Sequence, residues 1–469
     1  MVSWGSPMPI VIEARRSLLG GVLAVAFTLW AAPALGQPTF AAVEQRRLDN
    51  GLTVMVQEDH KVPLVSLTLR YDAGEQAVPS GLDATAALTT MLMLRATKHA
   101  GAGEYARQLA RAGASGMTDR TQASSTVLEA TVPSNRLALP LWLWSDQMGF
   151  FDAAIDEAQL EAQRGKLREQ RRASLAGSPM ARLDQLADEE LYPQGHPYRT
   201  LSFLPEDVDR VDRAAVASFH DAWLTPQHAT LSVVGDVVGA EAFALVEHYF
   251  GSIPRAAVTS GPALPPVTLT EEHRVNVAAN VPRAHVSIRW PTPKLLSVDD
   301  ARLDVLARLL AGARTAWLYW KLVDDAKIAT GVTARQRSGA LGSQFEIAID
   351  GAKGKSAADL LSAFDSAMDE LATASATPRQ IDGALYETLI ERQLLLERPS
   401  ARAAEYAKSW ALVGVADHLG RDFERYDHVT PTIVHDTLRK WLPRGRRVVL
   451  LVTPTPRAAA GGERAGVAR

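Results

Sequence analysis

Residues 211–234 read VDRAAVASFHDAWLTPQHATLSVV, and residues 429–452 read VTPTIVHDTLRKWLPRGRRVVLLV. In the first, Asp212 opens a helical apolar pattern running through Phe219, Trp223 and Leu224, followed by a break at Pro226 and an apolar strand at Ala229–Val234. In the second, Thr430 and Pro431 lead into Ile433, Val434, Leu438, Trp441 and Leu442, then a break at Pro443 and a strand at Val448–Val452. Val429 follows Val211, and Trp441 follows Trp223, by the same 218 residues. A second echo pairs Pro179 and Arg182 with Pro399 and Arg402 at an offset of 220, each after a long charged stretch. Two echoes in one order at nearly one offset point to an internal duplication of roughly 220 residues. Between the copies, Pro254–Pro266 is rich in Pro, Ala, Ser and Gly and reads as a linker.

Each copy mixes strands and helices. Leu52–Gln57 and Val65–Tyr71 alternate apolar and polar residues, which predicts half-buried strands joined by a turn at Asp59–Lys61. Asp156–Leu175 carries sparse apolar positions among Glu, Gln, Lys and Arg, predicting a largely exposed helix ended by Gly177 and Pro179. In the second copy Val275–Val277, Val286–Trp290 and Phe345–Ile349 are strand-like and Ala301–Leu310 is helical. Antiparallel strands beside grouped helices predict an α+β fold. The expected organisation is a first domain over 37–256, a linker over 257–272, a second, homologous domain over 273–456 and a disordered tail over 457–469.

With 469 residues and 47% hydrophobic composition the chain can bury sizeable cores, which excludes a disordered or fibrous protein. Lys+Arg 50 against Asp+Glu 53 leaves no basic excess to follow a phosphate backbone, so nucleic acid is not an expected partner. The absence of cysteine removes disulfides, thiolate metal sites and a Cys nucleophile together, so any metal must be held by His and carboxylates. Arg15 and Arg16 precede an apolar run from Leu18 to Ala32, and Pro33–Gln37 supplies a small-residue cleavage site. That pattern predicts a signal peptide over residues 1–36 rather than a stable membrane span, and hence a periplasmic protein.

The string Leu48–Val54 (LDNGLTV) resembles the opening strand of the pitrilysin/insulinase zinc peptidases, the family of the mitochondrial processing peptidase. Val132–Asn135 with Leu141–Phe151, Tyr192–Tyr198 (YPQGHPY), Leu204–Asp207 (LPED) and Thr230–Asp236 (TLSVVGD) resemble that family's successive landmarks. Trp317–Val332 (WLYWKLVDDAKIATGV) resembles a landmark of its second half. The resemblance covers about residues 45–455 in order. It implies two homologous α+β domains of the processing-peptidase type, each an antiparallel sheet with helices packed on it, together forming half of a hollow clamshell around unfolded peptides.

The same resemblance implies an H-x-x-E-H helix with two zinc ligands and a general base, and a third, Glu ligand on a later helix. Here the ligand positions match Ala86 and Thr90, the general-base position matches Thr89, and the distal ligand matches Gln170, or Glu169 after a one-residue shift. A methyl and hydroxyls cannot replace two imidazoles, and one carboxylate is too few for zinc. Independently of alignment, no two of the 11 His are three, four or five residues apart, so a helical two-His motif is missing from the whole chain. No catalytic residue, metal ligand or cofactor is therefore expected, and zinc is expected only in a partner subunit.

Other positions carry weaker signals. The family's peptide-presenting strand matches Thr118, Asp119, Thr121, Ser124 and Thr126, and pairing by β-addition needs the backbone more than these side chains. The family's substrate-contacting Arg and Tyr match Trp317 and Thr330, with Arg314 a substitute one helical turn before Trp317. His196 in the YPQGHPY turn reads as structural, His428 and His435 are separated by a helix start, and no G-x-S-x-G elbow occurs. Trp142, Trp144, Met148, Phe150 and Phe151 read as core, and Arg164, Lys166, Arg168, Arg171 and Arg172 as a solvated face or an inter-subunit surface. The leading expectation is a catalytically silent subunit pairing with a zinc-bearing homologous subunit around unfolded peptides. The alternatives are a stand-alone periplasmic scaffold or peptide-binding protein of the same fold, and an active zinc endopeptidase with other ligands.

Overall fold

A computed structural model describes residues 41–79, 81–95, 97–151, 156–177, 179–200, 203–257, 264–415 and 418–455. The expected signal peptide, the tail beyond residue 455 and residues 258–263 of the expected linker lie outside the described residues. Among the described residues no helix is long and apolar enough to cross a membrane.

The first copy opens with a hairpin of β1 (Glu44–Arg47) and β2 (Thr53–Glu58). Gly51 turns it at φ +98, where a Cβ would also meet Gln227, so only glycine fits. The neighbouring Asn50 amide donates to the carbonyls of Phe250 (2.7 Å) and Ile253 (3.1 Å), tying the turn to the far end of the copy. The chain continues through β3 (Leu64–Tyr71), α1 (Thr85–Met93), α2 (Glu104–Arg111), β4 (Ser115–Thr121), β5 (Thr126–Pro133), α3 (Ala138–Phe150) and α4 (Glu157–Gly177). It closes with α5 (Pro179–Leu191), α6 (Arg213–Trp223), β6 (Ala229–Gly235) and α7 (Gly239–Phe250).

The second copy runs β7 (His273–Ala279), β8 (His285–Thr292), α8 (Val298–Ala311), a short α9 (Trp317–Tyr319) that widens into a π-helical stretch over Trp320–Asp325, β9 (Ala329–Arg337) and β10 (Ser343–Gly351). Then follow α10 (Ala357–Leu371), α11 (Pro378–Leu396), α12 (Pro399–Val413), α13 (His418–Glu424), α14 (Pro431–Trp441) and β11 (Val448–Pro454).

The duplication is plain in the sheets. Their orders are β1-β2-β6-β3-β5-β4 and β7-β11-β8-β10-β9, so apart from the added β1 each strand has its counterpart in the same place. The matching segments that revealed the repeat start alike: Asp212 caps α6 by accepting from the Ala215 N–H, and Thr430 caps α14 by accepting from Ile433. The sheets are mixed rather than purely antiparallel, because β2 runs parallel to β6 and β7 parallel to β11. That departs from expectation because the return from the helices of each copy brings its last strand in beside the first.

A second departure concerns burial. β2 and β3 alternate in sequence, yet all but Glu58 and Leu64 are buried, on both faces. One face packs on α1, α3, α6 and α7 around Leu88, Trp144, Phe219 and Val246. The other face is covered by α12 of the second copy, which buries Ala403 and Tyr406 against Met55 and Val234. The exchange is reciprocal: α5 of the first copy lies on the second sheet and buries Leu183 and Ala187 against Leu450 and Val452. The polar halves of the alternation face these exchanged helices and are satisfied there. Arg402, 4% exposed, donates to Gln57 Oε1 (2.8 Å), to the carbonyls of Leu396 (2.8 Å) and Glu397 (3.1 Å), and to Asp59. Gln57 in turn donates to the Tyr406 hydroxyl at 2.6 Å. On the second sheet Arg289, 1% exposed, reaches Asp184, Asp188 (3.0 Å) and Glu346 (3.4 Å). Burial pushes the Asp188 carboxyl up, with Arg289 opposing it.

Candidate functional site

The helix that carries the zinc motif in the resembled family is α1, packed between β4, α4 and α6. Ala86, Thr89 and Thr90 are all buried on it. Their hydroxyls are spent inside the fold: Thr89 donates to the Thr85 carbonyl (2.8 Å), and Thr90 to the Ala86 carbonyl (3.0 Å). The Thr90 and Thr121 hydroxyls meet at 2.8 Å, bonding α1 to β4. Such i to i−4 bonds satisfy the donor hydrogen of a hydroxyl that has no water. On α4 the buried positions include Leu160, Gln163 and Leu167, whereas Gln170 and Glu169 are exposed, with Glu169 paired to Arg172. Among the described residues no group of three or more His, Asp or Glu side chains is gathered as a metal centre would require. The residues present therefore do not fit a zinc ion.

Burial dominates the electrostatics around α1. Burial, followed by the Asp83 charge, pushes the Glu75 carboxyl up to about 8. Burial also raises Asp83, with Asp207 adding to the effect, and raises Asp119. Arg210 opposes the shift of Asp83.

Thr118, Asp119 and Thr121 all lie on β4, the edge strand of the first sheet, whose outer backbone edge pairs with no strand among the described residues. One residue too many between Ser115 and Thr118 makes a bulge against β5 at Gly116–Met117. The two faces of β4 diverge. Thr121 points to α1, whereas Thr118 and Arg120 both bond Glu129 of β5, Arg120 at 2.8 Å. On that second face a groove of about 600 Å³ opens between the β4–β5 face and the corner joining α11 to α12. The groove and its Arg398 were not legible in the sequence, since the α11–α12 corner lies some 270 residues from β4 along the chain. The Thr118–Arg120–Glu129 set carries a faint signal, the opposite charges across a tight hairpin.

Arg314 is exposed in a turn beyond α8, not one helical turn before Trp317, because the helix containing Trp317 starts only there with Ala316 at its cap. Trp317 itself is buried and donates to the Ala367 carbonyl, so its position serves the core. Trp144, Met148 and Phe151 are core as expected; Phe150 is 43% exposed and stacks edge-on with His99. His196 is structural: buried, stacked on Tyr192, it accepts from the Tyr198 N–H and donates to the Leu341 carbonyl. The cations of α4 are not simply solvated, since Arg164 bonds the Val211 carbonyl, Arg168 pairs with Asp209 and Arg171 bonds the Phe203 carbonyl. They clamp α4 onto the 203–211 segment, which presents the Phe203 and Val211 carbonyls and Asp209 to the helix face.

Residues 210–385 match the family described as the Peptidase M16 inactive domain. The zinc protease PqqE of Helicobacter pylori is 26% identical over 296 residues, 61% of this chain and 65% of that protein, so the chain spans less than two thirds of that relative. A protease from Helicobacter pylori of known structure superposes with a TM-score of 0.81 at 20% identity, covering 89% of this chain and all of the other. The periplasmic protease PqqL from Escherichia coli gives a TM-score of 0.75 at 15% identity, covering 89% of this chain but only 48% of PqqL. With the duplicated sheet order and the ordered landmarks from Leu48 to Val332, these matches fit the pitrilysin/insulinase family, whose H-x-x-E-H motif this sequence lacks.

Proposed function

We propose that this protein is a catalytically silent subunit that pairs with a zinc-bearing homologous subunit, closing a chamber and holding unfolded peptide along β4. The observation that carries this reading is the α1–β4 junction. Where a peptidase of this family holds zinc, Ala86, Thr89 and Thr90 form a closed hydroxyl-bonded contact, while the neighbouring peptide-pairing edge stays open. Catalysis is lost and the geometry for main-chain binding is kept. The coverage of about half of PqqL supports the pairing, since the chain has the extent of one half of that longer protein. The proposed working compartment is the periplasm, in line with the expected signal peptide, and no cofactor is assigned to this chain.

The test is metal analysis and cleavage of an unfolded protein by the chain alone, and after co-expression with a family member of the same genome bearing H-x-x-E-H. The expected result is no stoichiometric zinc in the isolated chain, a stable complex with the sibling, and cleavage abolished by changing the sibling's motif Glu. Stoichiometric zinc and chelator-sensitive cleavage in the isolated chain would sink the proposal.

A further inference from the structure

We infer that the groove between β4–β5 and the α11–α12 corner receives acidic side chains of an extended peptide paired with β4. The inference deepens the reading of β4 as a peptide-holding edge and rests on it. A strand added to β4 lies about 4.8 Å away and sends alternate side chains to opposite faces of the sheet. On one face they meet the α1 side, where Thr121 is already bonded to Thr90. On the other they pass over the groove, which Ser115, Gly116, Arg120 and Glu129 line from the sheet and Arg398, Ser400 and Glu405 from the second copy.

The charges lining the groove decide its preference. Glu129 already accepts from Thr118 and Arg120, and Glu405 accepts from Lys408 through Oε1 while its Oε2 accepts no hydrogen bond and lies 4.0 Å from Arg392, so each carboxylate sits in an ion pair within the fold. Arg398 is exposed, and its guanidinium has no hydrogen bond, ion pair or ring contact among the described residues. One cation is thus left without a counter-charge beside an open strand edge. A planar guanidinium takes a carboxylate through two parallel hydrogen bonds, which a neutral amide side chain cannot reproduce. The class of ligand is therefore an extended peptide with Glu or Asp at alternate positions. Because Arg398 comes from the second copy and β4 from the first, the exchanged α12 is what builds the specificity into the edge.

The experiment measures binding of two labelled ten-residue β-prone peptides to the full chain by fluorescence anisotropy at low salt. One carries Glu at every second position, the other Gln at the same positions. Binding of the Glu peptide about fivefold tighter is expected, as for one solvent-facing charge pair. Arg398→Gln should remove that preference and leave the affinity of the Gln peptide unchanged, with an unaltered circular dichroism spectrum. Equal binding of both peptides, or a preference that persists in Arg398→Gln, overturns the inference and leaves the β4 reading standing. Failure of both peptides to bind overturns the β4 reading and the inference with it.

Discussion

Replacing Arg402 by Ala should unlock the exchange that joins the two copies. Arg402 sits on α12 and is 4% exposed; its guanidinium bonds Gln57 and Asp59 of the first copy and the carbonyls of Leu396 and Glu397. Truncation leaves Asp59, whose side chain is 13% exposed, as a carboxylate without its partner, and strands two carbonyls and the Gln57 amide oxygen. Breaking a buried pair by removing one partner costs about 3–5 kcal/mol, well above the ~1 kcal/mol of an ordinary hydrogen bond. At an m-value of about 2 kcal/mol per molar urea, a loss of that size lowers the unfolding midpoint by roughly 2 M. Arg402→Lys should recover only part of the loss, because an ammonium cannot reproduce the fork that reaches side chains and carbonyls together. The assay is urea titration followed by tryptophan fluorescence and far-ultraviolet circular dichroism. A midpoint shift below about 0.5 M, equivalent to ~1 kcal/mol at that m-value, would refute the claim that Arg402 locks α12 to the first sheet.

The reciprocal lock gives a parallel case: Arg289→Ala strips the partner from Asp184, Asp188 and Glu346, and should cost about 3–5 kcal/mol, adding to the Arg402 loss because the sites lie on different sheets. Glu75→Gln tests the carboxyl raised to about 8 by burial and Asp83. Between the ordinary carboxyl pKa and 8 the folded state holds a proton that the unfolded state has lost, so wild-type stability falls as pH rises through that window. The variant should therefore gain about 1–3 kcal/mol over wild type at pH 8 and little at pH 4, read from urea midpoints at the two pH values. Thr90→Val removes the hydroxyl contact to Thr121 and should lower stability by about 1 kcal/mol in a thermal melt, without changing peptide affinity, since Thr90 is buried behind β4 and the outer edge of that strand keeps its backbone groups.

Much of the architecture is written locally. The paired N-caps at Asp212 and Thr430, the Pro-started helices at 179 and 399, and the strands at 229 and 448 recur at nearly one spacing because each copy must form the same local elements. The missing H-x-x-E-H spacing is legible for the same reason: two imidazoles on one helix face need His four residues apart, and no such spacing exists in the sequence. What periodicity cannot report is which partner covers the second face of a strand. β2 and β3 alternate as half-buried strands do, yet Gln57 is buried, because α12 arrives from about 340 residues away with Arg402 and Tyr406 to satisfy it.

The repeat, the fold class and the missing H-x-x-E-H spacing can be read from residue type and spacing within single elements. The exchange of α5 and α12, the closed hydroxyl contact between Thr90 and Thr121, and the groove that sets Arg398 beside β4 emerge only in the folded molecule. Each of these joins segments far apart in the chain, and such contacts are fixed by packing and by the satisfaction of buried polar groups rather than by any local pattern.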